Sequence, residues 1–152
     1  MMDTLKILTC EQGRLTTAVL DAIIPPTTDC PGAGAIGAAR QLDEILSDQR
    51  ETRRPILDVL NAISDAVTTE GFSTLNAESQ ERILRSIEST KPEEFSELVK
   101  QTYNIYYTNI RVRRAIGFMP ENPQPSGYPQ PAPFDPVLLD GVRKRNRTWR
   151  KA

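Results

Sequence analysis

The chain has 152 residues, 38% hydrophobic and 26% charged, with a formal net charge of −1. That suits one ordinary globular domain with a core of its own and argues against a disordered chain. Histidine is absent altogether, which removes Ser-His-Asp and Cys-His nucleophilic chemistry and the usual zinc sites, and no apolar run approaches the roughly 20 residues that span a bilayer.

Residues 1 to 8 read as a loose lead-in, and Met1-Met2-Asp3-Thr4-Leu5-Lys6 holds neither an h-region nor a twin-arginine pair, so a cytoplasmic location is expected as written. A periplasmic one would need a signal that was removed or is carried by a partner. Thr9 and Gln12 have the spacing of a capping box. Leu15, Val19 and Ile23 then repeat on one helical face until Pro25-Pro26 forces a stop, because proline lacks the N–H and clashes with the preceding turn. Pro25, Pro26, Asp29, Pro31 and Gly32 form the expected structural loop. It should be rigid and set the angle between the first two helices, with Asp29 bonding backbone N–H groups to hold the turn.

A second helix is predicted over about 34–48 and a third from near Thr52. In the third, Ile56, Leu60, Ile63 and Val67 form a core stripe and Gly71 closes the run. Asn76 should cap a short fourth helix carrying Ile83, Leu84 and Ile87. Thr90 and Glu93 suggest another capping box before a fifth helix, with Pro92 in its tolerated first turn and Phe95, Leu98, Val99, Thr102 and Ile105 or Tyr106 facing inward. No strand pattern and no repeat appears. The expected fold is all-α: a small irregular bundle of five to six helices over 1–117, followed by an extended proline-rich C-terminal arm and basic segment over 118–152. Seven of the twelve prolines lie between Pro120 and Pro136, which disfavours helix and sheet interiors. A last helical segment should start near Pro136 and run towards Trp149.

Several features invite a chemical reading. Gly32-Ala33-Gly34-Ala35-Ile36-Gly37 matches the dinucleotide fingerprint, but that motif needs a strand before it and a βαβ unit around it. Here it follows a helix and a proline loop, so it reads as small residues that let a helix start pack closely. Acidic residues, among them Asp21, Asp43, Glu44, Asp58, Asp65, Glu93 and Glu94, fall mostly on the polar sides of helices and read as solvated. Cys10 and Cys30 read as reduced thiols. No catalytic, cofactor-binding or metal-ligating residue is expected.

Tyr103, Tyr106 and Tyr107 share one helix and suit either a core edge or an interface. Together with Phe118, Tyr128, Phe134 and Trp149 they are the candidate partner-binding residues. Residues 141–152 carry six basic side chains and no acid, and a tail of +6 against a net of −1 leaves −7 for the remainder. Such a tail could grip phosphates or an acidic protein. The alternative function is therefore an independent helical adaptor for nucleic acid or an acidic protein.

The segment Asp21, Ile23, Ile24, Pro25, then Pro31, Gly32, Ala33 and Gly37 resembles the signature of the gluconate 2-dehydrogenase subunit 3 family. Further along, Phe95, Leu98, Val99, Thr102, Tyr106-Tyr107, Val112, Gly117 and Phe118 are similar to its second block, and Gly127-Tyr128-Pro129 resembles its proline-rich ending. The resemblance spans residues 9 to 130. It implies a non-catalytic small subunit, in a heterodimer or larger complex, that supports the assembly and stability of a large catalytic subunit. That partner would be a FAD-dependent enzyme of the glucose-methanol-choline type oxidising a sugar, sugar acid or polyol, as in gluconate or glucoside dehydrogenases. FAD is expected in the partner and no cofactor in this chain. A cytochrome c-type electron acceptor accompanies some such systems; nucleic acid and a membrane span are not expected.

Overall fold

The computed structural model describes residues 5–67, 71–118 and 135–144. The chain divides into two units, Met1–Met119 and Pro120–Ala152. The first contains α1 (Cys10–Ile23), a 3-10 turn (Gly34–Ile36), α2 (Ala38–Asp48), α3 (Arg50–Ala66), a second 3-10 turn (Phe72–Thr74), α4 (Ala77–Thr90), α5 (Pro92–Thr108) and α6 (Ile110–Ala115). In the second unit a 3-10 turn (Pro136–Leu139), capped by Asp135, leads into α7 (Asp140–Lys144). Among the described residues there is no strand, and the fold is all-α. The rest of the proline-rich segment lies outside the described residues.

The helices begin where local chemistry dictates. Thr9 and Gln12 make the reciprocal capping box, and Asn76 accepts the Ser79 N–H at the start of α4, each satisfying donors that a helix leaves unpaired. The expected box at Thr90 and Glu93 does not form. Thr90 is still the last residue of α4, so its hydroxyl turns back to the carbonyls of Ser86 and Ile87, and only Lys91 separates α4 from Pro92 at the start of α5. Equally short joints, Gln49 and Asn109, connect α2 to α3 and α5 to α6. At the first of these, Arg53 reaches back from α3 to donate to the carbonyls of Leu46 and Ser47, closing the orphan acceptors of α2.

Three boundaries differ from expectation. Gly34–Ile36 winds as a 3-10 turn, and α2 starts only after Gly37, whose φ of 76° interrupts the helix. Helix α3 starts at Arg50, two residues before Thr52, and so places Pro55 inside it. Gly71 does not close α3, which ends at Ala66 with an extended Val67; it adopts φ 82°, ψ 151° ahead of Phe72 instead, a conformation only glycine enters freely.

The core is built on α3 and α5. Ile56, Val59, Leu60 and Ile63 face Leu98 and Ile105, and Val19, Leu20, Leu42, Leu46, Phe72 and Val112 complete it. Each helix supplies an apolar stripe at 3.6-residue spacing. Thr16 and Thr102 are buried within it, their hydroxyls donating to Gln12 and Leu98 carbonyls one turn back.

Nor is the lead-in loose where it is described. The backbone N–H groups of Lys6, Ile7 and Leu8 donate to the carboxylate of Asp43 at 2.6, 2.9 and 2.7 Å. Asp43 is only 2% exposed, so it does not sit on a solvated face. Burial alone would raise its pKa, but the three N–H groups, with Lys6 nearby, hold it below the usual carboxylate range.

Candidate functional site

Two neighbouring features follow from the way α1 and α5 meet: a knot around the proline loop, and an exposed aromatic face beyond it. The knot begins where α1 ends. The Ala33 N–H donates to the Ile24 carbonyl, the Thr27 N–H to the Cys30 carbonyl, and the Cys30 N–H to the Thr27 hydroxyl. Asp29 is exposed and Thr27 does the bonding expected of it. Pro25 and Pro26 are exposed, Pro31 is half-buried and Gly32 is buried.

Asp21 is the central acid of the knot. It is half-buried rather than solvated, and it accepts the Gly34 N–H at 2.7 Å. A Cβ at Gly32 would run into the Asp21 carboxylate and come within 3.0 Å of Pro26. At Gly34 it would strike the same carboxylate and come within 2.8 Å of Thr17. These glycines therefore let the loop close over an acid, and Asp21 already takes the Gly34 N–H that a dinucleotide phosphate would need. The geometry does not fit a nucleotide cofactor.

Tyr106 ties α5 into the same loop. It is 4% exposed, and its hydroxyl donates to the Pro31 carbonyl at 2.8 Å across 75 positions of sequence. Burial, with the Cys30 thiol beside it, pushes the phenol pKa up. Tyr106 thus belongs to the core and the knot, not to an outward face.

Tyr103 and Tyr107, by contrast, stand 44% and 51% exposed. Their rings stack at 6.0 Å, and the Tyr106 ring meets Tyr107 edge-on at 5.2 Å. Ile110, Ile116 and Phe118 are exposed further along, and the Arg113 guanidinium lies 4.8 Å over the Phe118 ring. From Leu98 to Phe118 the sequence has Lys100, Arg111, Arg113 and Arg114 and no carboxylate. This end of the unit is apolar and positive together. Tyr128, Phe134 and Trp149 lie outside the described residues.

The sequence reading took Asp43 for a solvated acid and passed over Ile110. Asp43 sits among Ala39, Leu42 and Leu46 on the buried stripe of α2, a placement that could have flagged it as a paired acid. Among the described residues both cysteines are free, no three His, Cys, Asp or Glu side chains gather to hold a metal ion, and no helix is long and apolar enough to cross a membrane.

A family model, gluconate 2-dehydrogenase subunit 3, matches residues 10–120. No curated protein and no solved structure matches the chain. The matched span takes in the knot, the α3–α5 core and the exposed tyrosines.

Proposed function

The chain belongs to the gluconate 2-dehydrogenase subunit 3 family, and on that premise we propose that it is a non-catalytic small subunit of a sugar, sugar-acid or polyol dehydrogenase. Its task is to assemble with and stabilise a large catalytic subunit that carries FAD. The observation that carries this reading is the face described above: Tyr103 and Tyr107 exposed on α5, which Tyr106 fixes in place, followed by exposed Ile110, Ile116 and Phe118 beside arginines. Large aromatic side chains with arginine are what protein interfaces use as anchors. Chemistry on the substrate belongs to the partner.

Co-expression with a candidate FAD-dependent catalytic subunit from the same organism tests the proposal. A tagged copy of this chain should retain a yellow catalytic subunit in fixed stoichiometry, and the isolated chain should be colourless and inactive. Stoichiometric flavin in the isolated chain, or a catalytic subunit equally soluble and active without it, refutes the proposal.

A further inference from the structure

Helix α4 is held to the first unit less firmly than the other long helices. Its buried side chains are Leu84 and Ile87, and both keep some exposure, 8% and 7%. Leu20 of α1, Leu42 of α2, Leu60 of α3 and Leu98 of α5 are sealed completely. Apolar stabilisation follows the area removed from water. Two incompletely sealed anchors in 14 residues therefore hold α4 less strongly than six buried residues hold α5.

One flank of α4 is also incompletely packed. Between it and α1 lies a trough of about 1230 Å³ open to solvent, lined by Gln80 and Leu84 on one side and by the small Ala18 and Ala22 on the other. Polar bonds add little attachment. Arg82 binds Ser79, Arg85 binds Glu81 and Thr90 turns back to Ser86, all within α4, while Gln80 reaches the Phe72 carbonyl at 3.0 Å. Both ends of the helix can serve as hinges. Before it, Leu75 and Asn76 are extended, and Phe72 stays buried. After it, Lys91 alone intervenes, in a non-helical conformation, before α5 begins.

We propose that α4 opens as a unit of its own, between Leu75 and Lys91, while α1, α2, α3 and α5 stay folded. A 14-residue helix is marginal by itself in water, so once lifted from the core it unwinds and its amides meet solvent. Opening uncovers Phe95 and Val99 of α5, which line the trough with it. The Tyr106–Pro31 bond does not involve α4 and survives. Segments that rearrange in a fold are drawn from its least stable part, and this inference stands independently of the small-subunit reading.

Native-state hydrogen exchange of the full chain tests it, followed amide by amide by NMR in urea concentrations below the unfolding transition. Amides of residues 82–90 should share one opening constant, at least about tenfold larger than that of the buried turns of α3 and α5. They should also respond less steeply to urea, because opening one helix exposes little surface.

Ile105→Val then separates local from global opening. Ile105 is 3% exposed and lies at the far end of α5 from the Lys91 joint. The variant weakens a part of the core that remains folded when α4 opens. Exchange in α3 and α5 should accelerate about two- to tenfold, while α4 keeps its wild-type rates. A shared rate and urea slope for α4 and α5 overturns the proposal. So does a gradient of rates running inward from the ends of α4, the mark of fraying, or acceleration of α4 by Ile105→Val to the same extent as α5.

Discussion

Replacing Asp43 with asparagine asks how firmly the start of the chain is held to the core. One carboxylate oxygen accepts from Ile7 and Leu8, the other from Lys6. Asparagine keeps one oxygen for the first pair but turns an amide N–H₂ towards the Lys6 N–H, donor against donor. One buried donor left unpaired costs about 1–3 kcal/mol, and the two remaining bonds lose their charge assistance, so a total of about 2–4 kcal/mol is expected. For a chain of this size that lowers the melting temperature by about 8–15 °C.

The pH dependence carries a definite sign. The folded carboxyl titrates below its ordinary value, so its stabilisation is fully present above the unfolded pKa of about 3.9 and is lost as pH falls through the folded one. Urea melts of wild type and Asp43→Asn should therefore differ by a constant amount from pH 7 down to about pH 5, and converge in stronger acid. A difference under about 1 kcal/mol at pH 7, or one that widens as pH falls below 5, refutes the account of the three-donor clamp.

Other substitutions probe the knot and the aromatic face. Tyr106→Phe removes one bond to Pro31 and should cost about 0.5–1.5 kcal/mol in a denaturant melt; an unchanged midpoint means that bond adds nothing. Gly34→Ala drives a methyl group against Asp21 and Thr17 and should cost about 1–3 kcal/mol. Adding Asp21→Ala should recover part of that loss, and strict additivity of the two changes would rule out the steric explanation. Tyr103→Ala with Tyr107→Ala should leave stability within about 1 kcal/mol yet weaken retention of the flavoprotein. If binding survives and folding fails, these tyrosines belong to the core rather than to an interface.

The helices and their caps were legible because those signals are local. Thr9 with Gln12, Asn76, and the stripe through Ile56, Leu60 and Ile63 are each decided within one or two turns. What could not be read depends on contacts far apart in sequence. Asp43 and Asp21 look like any acid on a helix until Leu8 and Gly34, 35 and 13 positions away, arrive with their N–H groups. Spacing placed Tyr103, Tyr106 and Tyr107 on one helix, but only the approach of Pro31 separates the buried ring from the exposed pair. Asn109, which caps α6 by accepting the Arg111 N–H, was passed over because the helix it starts is only six residues long.

The one-residue joints at Gln49, Lys91 and Asn109 have an evolutionary consequence. A loop absorbs an added residue by bulging; these joints have nothing to bulge. Taken into the following helix, an extra residue would swing its apolar stripe by about 100°, carrying Ile56 and Leu60, or Leu98 and Thr102, out of register with their partners across the bundle. Between α2 and α6 the unit can exchange one side chain for another far more readily than it can change the length of these joints.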